Sequence, residues 1–200
     1  MIKTFCLCLP EYPEKIEQAK KHFSEQRLEN VEFFYGLHAQ TAGLSTEHTY
    51  EHDGPEIWNR IGYNSTGIWL SHWMLWNVLI HLSHDTVMIL ENDVKLCENW
   101  EERLSKALSD VPGDFGMLYV GSCCTEGHPK THVSGDVWEC KHMQCCHAYV
   151  IRRGALPTLL KMRKIWAPID IQVQLECFPH LKTYVVLPRI FDQHNMTLSP

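Results

Sequence analysis

Glu91 and Asp93 are the residues best suited to chemistry, and they follow the apolar run Thr86-Val87-Met88-Ile89-Leu90. β-Branched and apolar side chains favour a buried strand, whereas Glu91-Asn92-Asp93 cannot continue one without placing charge in the core. The strand must therefore end at this triplet. Residues two apart in extended backbone project to the same side, so the two carboxylates share a face. Such an oxygen pair suits a hard divalent cation whose other positions are filled by water and substrate phosphates. An acidic turn after a core strand has the same pattern, and the triplet alone does not separate the two readings.

The elements that must position this triplet alternate along the chain. Lys3 to Leu9 reads as a strand, punctuated by Pro10 and Pro13, and Glu14 to Gln26 as a helix with acids early. Val31 to Tyr35 is a short strand, and residues 36–55 form a polar loop. Ser65 or Thr66 caps a helix running to His84, apolar on most faces through Trp69, Leu70, Trp73, Leu75, Trp76, Val78, Leu79 and Leu82, hence deeply buried. After the strand ending at Glu91, the pattern predicts a helix over 100–109 and a strand over 115–120. Residues 121–141 read as irregular. A strand over 147–151, helices over 154–164 and 170–177, and a last strand over 183–187 complete the set. This alternation predicts a mixed α/β sheet in one domain, residues 1–200. Ligands of open α/β sheets bind beyond the carboxyl ends of strands, where the triplet falls.

Composition narrows the function. Two hundred residues, 44% hydrophobic and 21% charged, are globular, and a net charge of −6 with no Lys/Arg-rich run argues against a nucleic-acid partner. An acidic protein that handles a phosphorylated small molecule needs a metal to offset charge. The longest apolar-rich stretch, Ile68 to Leu82, is interrupted by His72, Asn77 and His81, so no transmembrane segment is expected. The apolar run within the first ten residues is too short for a secretory signal, and the expectation is a cytoplasmic location or a targeting signal outside this sequence.

Nine cysteines are too few for a disulfide scaffold. Cys123, Cys124, Cys140, Cys145 and Cys146, with His128, His132, His142 and His147, make a zinc-binding module through residues 123–147 one alternative. Its adjacent cysteine pairs count against it, because neighbouring sulfurs rarely face one ion. Free buried thiols are the plain expectation, with disulfides open to a protein that meets an oxidising compartment.

Six ordered segments resemble one family. They are the first strand with Pro13-Glu14-Lys15, Gly67 to Trp76 with its Ser71-His72 pair, and Leu90-Glu91-Asn92-Asp93-Val94. The others are His147-Ala148-Tyr149-Val150-Ile151-Arg152-Arg153-Gly154-Ala155, Ala167-Pro168-Ile169-Asp170, and the closing Pro188, Gln193-His194 and Ser199. Together they resemble glycosyltransferase family 25, which includes lipooligosaccharide and collagen galactosyltransferases.

The resemblance implies a GT-A-type fold, a Rossmann-like mixed sheet flanked by helices. It implies transfer of galactose or glucose, with inversion, from a UDP-sugar to an acceptor hydroxyl on a glycan, a lipid-linked sugar or a protein. Mn²⁺ or Mg²⁺ would bridge the diphosphate, held by Asp93 and Glu91, with His194 as a third ligand. Glu91, Asn92, Lys15, Ser71, His72 and Tyr149 are the expected donor-binding set, with Gln144, Arg152 and Arg153 from a similar neighbourhood. Ser71 and His72 also fit a buried core pair, His72 bonded to backbone. Asp170 matches the family's aspartate and is the expected base, although aspartate also suits a helix N-cap. Trp58, Trp138 and Trp166 can stack an acceptor sugar.

Two departures count. Asn92 stands where the family has aspartate, and an amide is the weaker ligand for a hard cation. Pro10, Glu11 and Tyr12 replace early basic residues and leave Lys15 alone. They motivate a second alternative, a degenerate glycosyltransferase that binds nucleotide or glycan without turnover.

Overall fold

The computed structural model describes residues 2–43, 63–123 and 128–193. Its strands are β1 (Lys3–Cys8), β2 (Val31–Tyr35), β3 (Thr86–Glu91), β4 (Val94–Leu96), β5 (Met117–Cys123), β6 (Lys130–Ser134), β7 (Val137–Cys140), β8 (Gln144–Arg152), β9 (Thr183–Val186) and β10 (Phe191–Gln193). Its helices are α1 (Pro13–Glu25), α2 (Tyr63–Leu79), α3 (Trp100–Asp110), α4 (Leu156–Leu159) and α5 (Ile169–Glu176).

Eight strands form one sheet in the order β2-β1-β3-β8-β5-β9-β7-β6, and β10 pairs with β4 beside it. β1 lies parallel to both β2 and β3, so all three point their carboxyl ends the same way. β8 enters antiparallel between β3 and β5. The central strands are buried on both faces and carry continuous apolar runs, as Met88-Ile89-Leu90 in β3 and Met117-Leu118-Tyr119-Val120 in β5 show.

Two cores sandwich the sheet. On one face, Ala19 and Phe23 of α1 and Leu104 and Ala107 of α3 pack over Cys6, Met88 and Leu118. On the other, Trp69, Leu75, Trp76 and Leu79 of α2 join Leu159 and Val173 against Phe5, Ile89 and Tyr149. In α1, Ile16, Ala19 and Phe23 recur at helical spacing behind Pro13 in the first turn.

Several elements differ from the sequence expectation. α2 starts at Tyr63, ahead of Ser65 and Thr66, and stops at Leu79. Beyond it His81 and Leu82 close tighter turns onto the carbonyls of Val78 and Leu79. Ile68, Met74 and Val78 on it are exposed, so its apolar sequence is only partly buried. Within 121–141, expected to be irregular, the described residues are largely strand: β5 continues to Cys123, and Lys130–Ser134 and Val137–Cys140 form a β6–β7 hairpin that turns at Gly135 in the left-handed region. The helix expected over 154–164 shrinks to a 3₁₀ turn, Arg153–Ala155, and the single turn of α4. Pro157 there supplies no N–H to continue a helix from the preceding turn. The strand at 183–187 is not the last, because β10 follows it.

Cys123 and Cys145 form a disulfide that ties the end of β5 to the start of β8. The remaining described cysteines are free, and all but Cys97 are buried. Two of the zinc module's expected ligands are thus bonded to each other, and no group of three metal-capable side chains occurs among the described residues. Cys124, Trp58, His194 and Ser199 lie outside the described residues. No helix among the described residues is long and apolar enough to cross a membrane.

Gly121 marks the tightest approach in the sheet. A Cβ there would lie 2.7 Å from the His147 ring carbon Cδ2 and 2.7 Å from the Phe191 carbonyl oxygen. Gly121→Ala is therefore expected to lose about 1–3 kcal/mol, the usual cost of overpacking, read as a lower urea midpoint. An unchanged midpoint would show that the neighbours yield freely.

Candidate active site

A cleft of about 280 Å³ opens at the carboxyl ends of the three parallel strands. Leu7, Cys8 and Leu9 line it from β1, Leu37, His38 and Ala39 from the segment after β2, and Glu91, Asn92 and Asp93 from the end of β3. Tyr12 and Lys15 reach it from the turn into α1, and Asn64, Gly67, Ile68, Ser71 and His72 from α2.

Glu91 is opposite Leu7 in the parallel register and is the last residue of β3. The chain turns at Asn92 and Asp93 and leaves as β4, whose partner β10 aligns Gln193 with Val94. The Gln193 amide nitrogen consequently stands 3.5 Å from Glu91 Oε2 and 3.5 Å from each Asp93 oxygen. It holds the two carboxylates to one spot. Burial, and then the Glu91 charge beside it, raise the Asp93 carboxyl above its ordinary value, with Gln193 and His147 opposing. The other Glu91 oxygen, Oε1, is 3.3 Å from Nε2 of His72, which is 0% exposed.

Ser71 works on the cleft wall. Its hydroxyl donates to the Gly67 carbonyl at 2.7 Å and accepts from the Leu37 N–H at 2.9 Å. Small residues permit this seam, since a Cβ on Gly67 would lie 2.6 Å from the Leu37 oxygen. The segment so held presents His38, whose Nε2 is 3.3 Å from the Tyr12 hydroxyl and whose Nδ1 is 2.8 Å from Thr41 Oγ1. Lys15 Nζ lies 5.0 Å from the centre of the Tyr12 ring. The exposed ammonium thus stands on the rim of the cleft that the carboxylates enter.

Six of the expected donor-site residues, Glu91, Asn92, Asp93, Lys15, Ser71 and His72, line this single cleft. Tyr149 does not: it is fully buried in β8, with its hydroxyl 2.9 Å from His72 Nδ1. His72 is fully buried with both ring nitrogens partnered, but its partners are the Tyr149 hydroxyl and the Glu91 carboxylate where the core-pair reading had backbone. Asp170 is not a cleft residue either. The N-cap of α5 is Pro168, and the Asp170 carboxylate accepts from the N–H groups of Cys145 at 2.8 Å and Ile171 at 2.9 Å. Gln144 opens β8, opposite Cys123.

Arg152 and Arg153 sit at the amino end of β3, the far end from Glu91. Arg152 pairs with Asp85 there and Arg153 donates to the Leu82 carbonyl. Trp138 lies in β7, four strands from β3, against His132, and Trp166 packs beside α5 near Glu176.

Sequence reasoning missed Tyr12, His38, Gln193 and Trp76. Tyr12 had a signal, because the turn from the first strand into the first helix borders the ligand site in such folds. Gln193 was named only within the closing segment of the family resemblance, and a three-residue strand leaves no periodicity from which to read its role.

The donor set fits a divalent cation. Two carboxylates meet at the Gln193 amide, burial first and the Glu91 charge second raise the Asp93 carboxyl, and Mg²⁺-like ions bind through one or two carboxylates with water and phosphate completing the shell. That upward shift has a pH signature. A carboxyl that holds its proton more tightly folded than unfolded lowers stability as pH rises from its ordinary value, about 4, through the raised one. Asp93→Asn removes that loss. Thermal melts should show the variant matching the wild type below about pH 4 and exceeding it at neutral pH; an equal difference at both would show that Asp93 carries no such strain.

Residues 1–137 match glycosyltransferase family 25 (LPS biosynthesis protein). No curated protein matches the chain. Among solved structures, a glycosyltransferase involved in glycosylation of the major capsid of PBCV-1 superimposes with a TM-score of 0.54 at 10% identity, over 96% of this chain and 92% of that one. An active-site mutant of LgtC aligns at 12% identity over 86% of this chain and 69% of its own, with a TM-score of 0.44. The first likeness supports the GT-A-like fold, a mixed sheet flanked by helices. The family match covers well over half of the residues: the chain belongs to glycosyltransferase family 25 and is a glycosyltransferase.

Proposed function

We propose that the protein transfers galactose or glucose from a UDP-sugar to an acceptor hydroxyl on a glycan or protein, with Mn²⁺ or Mg²⁺ at Asp93 and Glu91. The observation that carries this reading is the meeting of Glu91, Asp93 and Lys15 in one cleft at the carboxyl ends of β1, β2 and β3. A cation bound there would act as a Lewis acid toward the departing diphosphate. Lys15 supplies a further positive charge for phosphate oxygens at the rim. Tyr12 and His38 form an aromatic wall on the same side, suited to a nucleoside. Gln193 keeps the two carboxylates together, and the Ser71 seam keeps the far wall in place.

In transfer with inversion, the acceptor oxygen bonds to the sugar's anomeric carbon while the bond to the diphosphate oxygen breaks. The bonding pair leaves with UDP and the acceptor proton passes to a base. Asp170 is the proposed base. Two backbone N–H groups fix its carboxylate, which leaves lone pairs on both oxygens, and it is partly buried at the first turn of α5. A degenerate enzyme that binds without turnover draws support from the same residue, because Asp170 lies outside the cleft that holds Glu91 and Asp93. The cytoplasmic location expected earlier sits against the Cys123–Cys145 disulfide, a bond that persists in oxidising compartments.

UDP calorimetry and UDP-galactose or UDP-glucose hydrolysis, with and without Mn²⁺, test the reading. Binding is expected to need Mn²⁺ and to vanish in Asp93→Ala. Asp170→Asn is expected to bind UDP normally and to lose about 10²–10⁴-fold in turnover, the range of a general base. Metal-dependent binding with no turnover in the wild type would favour the degenerate reading, and no nucleotide binding under any metal condition would overturn both.

A further inference from the structure

We propose that Tyr149 and Trp76, neither of which reaches the cleft, are positioning residues that fix Glu91 through His72. The proposal rests on the reading of Glu91 as a donor-site carboxylate. The Trp76 indole N–H donates to the Tyr149 oxygen at 2.9 Å. The same oxygen lies 2.9 Å from His72 Nδ1, and His72 Nε2 lies 3.3 Å from Glu91 Oε1. Trp76, Tyr149 and His72 are each 0% exposed, so no water competes for these groups.

Burial fixes the direction of every bond. Indole nitrogen can only donate, and ionised carboxylate can only accept. Trp76 therefore fills an acceptor position of the Tyr149 oxygen and leaves its proton to give. Burial raises the Tyr149 hydroxyl far above its ordinary value, so that proton stays in place. Its acceptor is His72 Nδ1, which places the imidazole proton on Nε2, aimed at Glu91. The reverse tautomer would face a ring lone pair against a carboxylate and leave the phenol proton buried without an acceptor, a loss on both counts.

The chain runs from the middle of α2, across β8, back to α2 and out to the tip of β3. It ties one Glu91 oxygen to the core and leaves the other beside Asp93 and Gln193. The packing of the rings supports the same placement: His72 stacks on Tyr149 with centroids 5.8 Å apart and tilts against Trp76 at 5.9 Å.

Imidazole ¹⁵N NMR of the intact protein reads the tautomer directly, with His72→Gln identifying the His72 resonances. The wild type is expected to show His72 protonated on Nε2 alone. Tyr149→Phe keeps the ring and removes the hydroxyl. It is expected to mix the tautomers and to weaken Mn²⁺-dependent UDP binding by about 10-fold or more, as loss of an outer hydrogen-bond partner does at metal sites. Trp76→Phe, which leaves Tyr149 in place, is expected to move both readouts the same way by less, and it decides the matter should Tyr149→Phe not fold. A wild-type His72 protonated on Nδ1 would overturn the proposal, as would variants with unchanged tautomer or unchanged UDP affinity. If the wild type binds no UDP with Mn²⁺, the donor-site reading fails, while the tautomer measurement still decides whether the relay exists.

Discussion

The structure depends on one constraint: a strand buried on both faces must stop where its sequence turns ionic. β3 runs through Val87, Met88, Ile89 and Leu90, all essentially inaccessible, and ends at Glu91. Its neighbour β1 ends at Cys8 in the same direction and register. No charge can move one residue inward without entering the core, so the carboxylates stand at the sheet's edge by necessity. The parallel arrangement then makes that edge a cleft. α1 and α2 pack on opposite faces of the sheet, and the cleft is lined from the turn into α1 on one side and from α2 on the other.

Around this fixed point the chain arranges polar side chains against the charges, and the Lys15 ammonium stands on the rim of the same cleft. Gln193, Asn92 and the buried His72 contact or flank the pair. Asp93 nonetheless retains a raised carboxyl, so the site is strained as it stands. A site of this kind gives up stability for the capacity to take a positive ligand.

Much of this was legible in the sequence, and the reasons differ by element. β1, β2, β3, α1 and α3 follow from apolar runs, proline punctuation and helical spacing, and fall within a residue or two of expectation. The acidic triplet was legible because charge after a buried strand has one plausible place. Residues 121–141 were opaque, since a hairpin at the sheet's edge carries polar residues such as Lys130, Thr131 and His132 with no alternation to read. The helix expected after Gly154 is broken from the 3₁₀ turn before it by Pro157, and nothing in the structure explains why it stops at Leu159. Asp170 shows a deeper limit. Its place after Ala167-Pro168-Ile169 was readable, but the partners that hold it, Cys145 above all, come from a different strand. Tyr149 was expected among the donor-binding residues, and only the packed structure shows it buried and joined to Trp76 and His72.

The β4–β10 pair carries a consequence for how the enzyme comes into being. Gln193 lies 102 residues beyond Glu91 in sequence yet touches it in space. A nascent chain can form β1, α1, β2, α2 and β3 long before that residue exists, leaving the carboxylates without their amide clasp. Because chains emerge amino end first, the acidic edge is finished only when the last described strand arrives. A chain ending before β10 would keep the His72 contact to Glu91 but lack the Gln193 amide between the two carboxylates.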